Sequence, residues 1–192
     1  MRDQRQLTYL SLYSSAGVGC YGFNIEGFEC IATVEILKKR LNIQRYNHIC
    51  KYDSGYIGND LKIEETKNRI RTELNLWGIG SQSRELDVLI ATPPCQGMSV
   101  ANHKKGDELT RNSLVTESII LTKEIRPKFF IFENVRAFLS TSCTDIDGKD
   151  KKIREAIELN LDEHYNNRSQ VLKFMDYGCP SSRTRTLVIG SR

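Results

Sequence analysis

Four groups of small, polar or ionisable residues each follow a predicted strand, and chemistry is expected there. They are residues 14–19, Glu35, residues 92–96 and residues 133–135. In open α/β sheets, ligands bind beyond the carboxyl ends of the strands. These groups are therefore predicted to project from one edge of a sheet, where they offer a glycine-containing turn, two carboxyls and a thiol.

The thiols and imidazoles of the chain are spaced in a way that argues against a metal site. The six cysteines include no C-x-x-C pair, and the three histidines are scattered, so no zinc site is predicted. Most of the thiols are expected to be small buried groups in a reducing compartment. Cys95, which follows two prolines after an apolar strand, needs a separate argument.

Apolar periodicity predicts strands that alternate with helices along the chain. Strands are expected at 9–13, 28–34, 48–52, 86–91, 129–132, 170–175 and 186–190. Helices are expected at 36–45, 61–77, 113–125 and 153–161, and another helix is expected to follow the turn at 14–19 and run toward Ile25. The strand that begins at Phe129 is predicted to end at Glu133, residues 140–150 to form a loop, and the last two strands to pair like a hairpin. This order predicts an open, mostly parallel α/β sheet in one domain over residues 1–192.

Composition and charge narrow the classes of protein to consider. The chain is 39% hydrophobic and 27% charged, without a repeat or a low-complexity tract, as expected of a globular protein. A net charge of +4 suits a polyanionic partner and suits a solvated surface equally well. Met1 is followed by a polar run, and no apolar run approaches the ~18 residues that span a bilayer. We expect a cytoplasmic protein of a bacterial or phage-infected cell, without a membrane partner.

Three motifs occur in a characteristic order. Pro94-Cys95-Gln96 follows one buried strand, Glu133-Asn134-Val135 follows the next, and Arg183-x-Arg185 lies near the end. In this order and spacing, over residues 10–192, the chain resembles the DNA (cytosine-5) methyltransferases. The resemblance implies a Rossmann-like class I methyltransferase fold, S-adenosylmethionine as cofactor and duplex DNA as substrate. The commonest setting of this family is a restriction-modification system.

The resemblance implies a catalytic role for each motif. Carbon 5 of cytosine is a poor nucleophile, and a thiolate that adds to carbon 6 makes it enamine-like, so Cys95 is identified as the nucleophile. Glu133 would hold ring nitrogen 3 from a dry pocket. Arg185 would reach the base carbonyl oxygen, and Arg183 would lie near the active-site backbone or a phosphate. Gln96 is assigned to the catalytic group with Cys95.

The turn after the first strand resembles the family's aromatic-x-Gly-x-Gly motif, in which backbone approaches the methionine part of the cofactor. Tyr13 stands where phenylalanine is usual, and Ser15 stands where the first glycine is expected. The cofactor contacts implied near this turn are Tyr13, Ser14, Ala16, Gly17 and Val18.

The remaining cofactor contacts come from later strand ends. Glu35 would accept hydrogen bonds from the ribose hydroxyls, and Ile36 would pack against adenine. Asp60 resembles the acid near the adenine amino group, with Asp53 as its rival. Leu114 matches a residue of the adenine pocket, and a plain core position is equally possible for it. Pro94 is counted among the cofactor contacts as well.

The polar segment between Gln96 and Ser113 resembles the mobile loop that closes over flipped DNA in the family. A solvated surface loop is the alternative. A cytosine inside a duplex cannot expose carbon 6 to a thiol, so it must rotate out, at a cost of a few kcal/mol that pocket and phosphate contacts offset. The basic residues Lys104, Lys105 and Arg111 suit those contacts.

Several alternatives stay open. Family members normally continue into a target-recognition region and a closing segment, so a chain ending at Arg192 is expected to be a fragment, a subunit completed by a second chain, or a remnant. A tRNA-modifying branch shares these motifs, and a non-catalytic partner that binds S-adenosylmethionine or DNA is another class. A nicotinamide-dependent oxidoreductase would instead require a full G-x-G-x-x-G turn.

Overall fold

A computed structural model of the chain describes residues 6–80, 84–94 and 108–192, without the side chains of 108–112. The chain divides into two compact units. Unit 1 comprises Met1–Ala91 and Ile125–Lys128, and unit 2 comprises Thr92–Glu124 and Phe129–Arg192. None of the helices among the described residues is both long and apolar enough to cross a membrane.

Unit 1 is a parallel α/β layer. Its strands are β1 (Thr8–Leu12), β2 (Glu29–Val34), β3 (Tyr56–Ile57) and β4 (Val88–Ala91), which lie in the order β3-β2-β1-β4 and are all parallel. Every strand residue except Glu29 is buried. Such continuous burial is typical of parallel strands covered on both faces. The parallel sheet predicted from the apolar runs is therefore present here.

Three helices connect these strands, at α1 (Val18–Ile25), α2 (Lys38–Tyr46) and α3 (Glu64–Leu76). Each lies within two or three residues of its predicted bounds. The two glutamates that open α3 suit the positive end of a helix dipole. Gly78, with a φ of 69°, follows the end of α3 at the predicted stop.

Unit 2 combines two helices with antiparallel strands. The elements are α4 (Glu108–Ile125), whose last residue belongs to unit 1, then β5 (Phe129–Val135), β6 (Ser142–Thr144), β7 (Asp150–Lys152), α5 (Ile153–Leu161), β8 (Asn166–Lys173) and β9 (Thr184–Ser191). β9 pairs antiparallel with β5 on one side and with β8 on the other. The predicted hairpin-like end and the predicted helix at 153–161 are both confirmed.

Aromatic packing forms the core of unit 2. The ring of Phe130 lies 4.7 Å from that of Phe132 and 5.0 Å from that of Tyr165, centroid to centroid. Gly190 lies opposite Phe130 in the β5–β9 pair. A Cβ at Gly190 would overlap the Phe130 ring, so the ring fills the space that a side chain would need.

Three predictions from the sequence are wrong. The strand expected at 48–52 is only an isolated bridge at Cys50, because His48 has a φ of 51° and the strand forms later, at Tyr56–Ile57. The loop expected at 140–150 contains β6 and leads into β7, which pair as a hairpin around buried Cys143. The strand expected to end at Glu133 continues to Val135, because β9 pairs with it along that whole length.

A buried carboxylate anchors the start of β1 and β4. Asp87 accepts hydrogen bonds from the Thr8 backbone N–H at 2.9 Å and from its hydroxyl at 3.1 Å, and it pairs with the Lys128 ammonium at 2.6 Å. Burial opposes ionisation of this carboxyl. The Lys128 and Thr8 hydrogen bonds outweigh that effect and lower the pKa of Asp87.

An Asp87→Asn variant is expected to lower the free energy of unfolding by roughly 1–3 kcal/mol at pH 7, because it leaves Lys128 without its charge partner. Since the folded-state pKa is lowered, the contribution of Asp87 is complete above its ordinary value of about 3.9 and disappears as the pH falls through the folded value. Urea unfolding at several pH values checks this. A difference between the two proteins that stays constant down to pH 3 would contradict it.

Candidate functional site

The turn after β1 has an unusual backbone. Tyr13, Ser15 and Gly17 have φ angles of 56°, 51° and 84°, in the left-handed region. A residue other than glycine pays roughly 1–2 kcal/mol for this conformation. The Gly17 N–H donates to the Ser14 carbonyl at 2.9 Å and closes the turn, and α1 starts at Val18. The serine at position 15 thus adopts the conformation that glycine favours.

Glu35, directly after β2, binds this turn. Its Oε2 accepts the Ser15 N–H at 3.0 Å, and its Oε1 accepts the Leu37 N–H at 2.9 Å. The Arg40 guanidinium lies 3.6 Å from Oε2, and Glu35 is buried. A carboxylate has about four acceptor sites, so these contacts leave capacity for ligand hydroxyls. The structure thus brings the predicted turn and the predicted ribose acceptor together.

Ile36 and Val18 expose apolar surface in unit 1. The exposed fraction is 61% for Ile36 and 81% for Val18. Ala16 and Tyr13 are half-buried, while Ser14 and Gly17 are buried. Ile36 adjoins Glu35 in the chain, so an apolar surface and a carboxylate lie side by side at this strand end.

The two acids proposed as rivals for the adenine amino group have different environments. Asp60 is half-buried beyond β3, and its Oδ1 accepts the Lys62 N–H at 3.0 Å. Asp53 is exposed and pairs with the Arg45 guanidinium at 2.9 Å. Asp60 therefore has the more sheltered carboxyl.

A second group of predicted residues lies in unit 2, on the paired strands β5 and β9. Arg185 is the register partner of Val135, which places its side chain diagonal to Glu133 on the same face of the sheet. The Arg185 Nε donates to Glu133 Oε1 at 3.0 Å, and both side chains are largely buried. The structure thus places side by side the two groups that the resemblance assigned to neighbouring atoms of one base.

Burial raises the pKa of the Glu133 carboxyl, although the charges of Arg185 and Arg183 act in the opposite direction. Arg183 is exposed, and its backbone N–H donates to the Ser181 hydroxyl at 3.2 Å. A carboxyl with a raised pKa can hold a proton for transfer, and the Arg185 guanidinium beside it presents N–H donors.

Asn134 connects this strand to the proposed nucleophile segment. Its Nδ2 donates to the Pro93 carbonyl at 2.9 Å, its Oδ1 accepts the Val135 N–H at 2.8 Å, and the residue is buried. Cys95 and Gln96 lie outside the described residues, as do Lys104 and Lys105. Asn134 thus binds the chain two residues before Cys95.

The last two predicted cofactor contacts also belong to unit 2. Pro94 is exposed and Leu114 is half-buried on α4. These two residues lie in a different unit from the turn and Glu35, which belong to unit 1.

Sequence reasoning assigned no role to two buried amides. Asn134 was part of a recognised motif, but its contact with Pro93 required the structure. Gln44 is fully buried in α2 three positions after buried Leu41, so a polar residue at an apolar helix position was the available signal. Both amides bind the backbone of segments to which the sequence analysis assigned a role, at Ser15 and at Pro93.

The other cysteines have no role assigned from the sequence. Within the described ranges, Cys20, Cys30, Cys50 and Cys143 are buried and Cys179 is exposed. Burial raises the pKa of the Cys143 thiol to about 11. Among the same residues no group of three or more metal-binding side chains is placed to hold an ion.

The model of the family of C-5 cytosine-specific DNA methylases matches residues 7–192, so the chain belongs to that family. The type II methyltransferase M1.HphI of Haemophilus parahaemolyticus is 34% identical over 191 residues, covering 97% of this chain and 46% of its own length. M1.HgaI of Avibacterium volantium is 31% identical over 189 residues, covering 96% and 50%. The chain thus spans about half the length of the curated relatives it matches.

Solved structures share the fold. A prophage-encoded E. coli protein, provisionally described as a DNA modification methyltransferase, matches with a TM-score of 0.70 and 24% identity over 97% of this chain and 47% of that one. The S. pombe Dnmt2 methyltransferase matches with a TM-score of 0.64 and 17% identity over 97% and 49%. The predicted Rossmann-like class I methyltransferase fold is confirmed.

An Arg185→Met variant is expected to raise the pKa of Glu133 further, because the nearest charge that opposes the effect of burial is lost. Arg183→Met is the matched control and should raise it less, since Arg183 exerts a smaller effect and donates no hydrogen bond to Glu133. Carboxyl-carbon NMR titration measures both. Equal shifts, or a fall in the Arg185 variant, would show that the ion pair does not control this carboxyl.

Proposed function

We propose that this chain methylates carbon 5 of cytosine in duplex DNA, with S-adenosylmethionine as methyl donor and Cys95 as nucleophile. Residues 1–192 form the catalytic and cofactor-binding domain in this proposal, and a second polypeptide segment or chain supplies target recognition. The type II methyltransferases among the relatives support a restriction-modification setting.

One observation carries the proposal, namely the sheltered Glu133 carboxyl with a raised pKa beside Arg185. When a nucleophile adds to carbon 6 of cytosine, negative charge develops at ring nitrogen 3 and the carbonyl oxygen. A carboxyl that holds a proton at nitrogen 3 stabilises that charge, and guanidinium N–H groups stabilise it at the oxygen. The diagonal pair on β5 and β9 offers both groups on one face.

Cys95 is assigned the covalent step. Its thiolate adds to carbon 6 and forms a carbon–sulfur bond, which makes carbon 5 nucleophilic. Carbon 5 would gain the methyl group as the sulfonium's sulfur–methyl bond breaks and a neutral thioether remains. After carbon 5 has lost its proton to water, the carbon–sulfur bond to Cys95 breaks and the thiolate leaves. Asn134 supports this assignment because its hydrogen bond to Pro93 holds the backbone shortly before Cys95. Gln96 and Arg183 are proposed to assist at the same site.

S-adenosylmethionine, when bound, supplies a methyl group on a positively charged sulfur. The residues of unit 1 fit such a molecule. Glu35 retains acceptor capacity for ribose hydroxyls beside its two backbone hydrogen bonds, and exposed Ile36 offers an apolar surface for adenine. The turn from Tyr13 to Val18 is proposed to approach the methionine part. Asp60, Leu114 and Pro94 are proposed to complete the contacts.

Covalent trapping tests the proposal. The chain is mixed with S-adenosylmethionine and a pool of duplexes in which 5-fluorocytosine occurs in many sequence contexts, because fluorine at carbon 5 prevents release of the enzyme. We expect an adduct that survives denaturation and is absent in Cys95→Ser. Glu133→Gln is expected to slow its formation by about 10²–10⁴-fold, the usual contribution of an acid–base group.

Two controls separate the alternatives. Omitting S-adenosylmethionine should prevent stable trapping, and RNA containing 5-fluorocytosine tests the RNA-modifying branch. An adduct with RNA alone would replace the DNA assignment. Binding of S-adenosylmethionine without any adduct, even after the part of a relative that this chain does not match is added, would favour a non-catalytic partner.

A further inference from the structure

We infer that Gln44 is a positioning residue for the cofactor turn, because its side-chain amide holds Ser15 in the left-handed conformation. The identity of the ligand at this turn rests on the proposed function. The role of Gln44 in shaping the turn rests on the contacts of unit 1 alone.

Gln44 binds the turn through both hydrogens of its amide nitrogen. Nε2 donates to the Ser14 hydroxyl at 2.8 Å and to the Ser15 carbonyl at 2.6 Å. Gln44 is fully buried, and its Cγ lies 3.1 Å from the position that a Cβ would occupy at Gly17. The Gln44 side chain therefore packs directly against the turn and donates to two of its acceptors, the Ser14 hydroxyl and the Ser15 carbonyl.

The peptide groups of Ser15 are held from two different elements. Its N–H donates to Glu35, which follows β2, and its carbonyl accepts from Gln44 on α2. Ser15 has a φ of 51°, a conformation that persists for a non-glycine residue only when its surroundings determine it. The hydrogen bonds to Gln44 and Glu35 stabilise this conformation at Ser15, whereas glycine would adopt it without such support.

A purely structural role explains Gln44 poorly. Its Oε1 is buried and has no hydrogen-bond partner among the described residues. An unpaired buried polar atom is destabilising, and an apolar side chain such as methionine would fill a similar volume without that penalty. The two N–H contacts with the turn are what an amide provides and a methionine lacks.

The experiment compares Gln44→Met with Asn42→Met, an amide-to-methionine change on the exposed side of the same helix. Hydrogen exchange of the Ser15 and Gly17 amides is measured in the free protein, and the Kd for S-adenosylmethionine is measured by calorimetry. We expect Gln44→Met to speed local exchange and to weaken binding by about tenfold, equivalent to ~1.4 kcal/mol. Asn42→Met should change neither.

Rescue by glycine is the decisive comparison. Since glycine adopts the left-handed conformation without support, Ser15→Gly added to Gln44→Met should restore the Kd to within about threefold of the Ser15→Gly single variant, a coupling expected of residues in contact. If Gln44→Met does not fold, Ser14→Ala removes one of the two acceptors and should produce a smaller change of the same kind.

The outcomes distinguish this inference from the proposed function. A lower unfolding midpoint with unchanged turn exchange and unchanged Kd would overturn the positioning role, as would weakened binding that glycine fails to rescue. If the unmodified chain does not bind S-adenosylmethionine, the proposed cofactor is wrong, and the exchange rates alone then decide the role of Gln44.

Discussion

Burial of the parallel strands on both faces is the constraint on which the rest of unit 1 depends. β1 and β4 contain no carboxylate and no basic side chain, because a charge inside a doubly covered sheet would lose its water without gaining a partner. Charged groups are therefore confined to strand ends. At the amino ends Asp87 connects Thr8 and Lys128, and at the carboxyl ends Glu35 binds the turn after β1.

The turn after β1 shows how a departure from a family pattern is accommodated. Serine at position 15 takes a backbone conformation that costs it more than glycine, and the cost is offset by hydrogen bonds to both of its peptide groups. The acceptor of one of them, Glu35, is also the proposed ribose acceptor. A change in the turn would therefore alter the carboxylate that is proposed to bind the ribose, and in that proposal the shape of the turn and the binding of the cofactor depend on each other.

In unit 2, antiparallel pairing of strands brings together residues that are distant in sequence. Glu133 and Arg185 are far apart in sequence, and the register of β5 with β9 makes them diagonal neighbours on one face. On the opposite face, Asn134 is buried and binds Pro93. Alternation of side chains along β5 thus places Glu133, the proposed acid–base group, on one face and Asn134, which holds the backbone at Pro93, on the other.

Several features were predictable from sequence because their causes are local. The apolar run of residues 86–91 predicted a buried parallel strand, and the pattern of residues 153–161 predicted a helix. In the structure that helix buries one face, formed by Ile153, Ala156, Ile157 and Leu161. The predictions of a strand near Cys50 and of a loop before Asp150 were wrong because the cause of the observed structure is not local. Short strands such as β3, β6 and β7 form where a partner strand lies beside them, and that partner is not visible in the local pattern.

The sequence by itself determined the family, the order of the motifs and the residue types that carry the proposed chemistry, because these depend on identity and spacing along the chain. Only the tertiary structure decided that Arg185 pairs with Glu133, that burial raises the pKa of that carboxyl, and that Gln44 and Glu35 hold Ser15. Each of these depends on strand register, desolvation or packing between distant segments. Those are properties of the folded chain, and no local pattern encodes them.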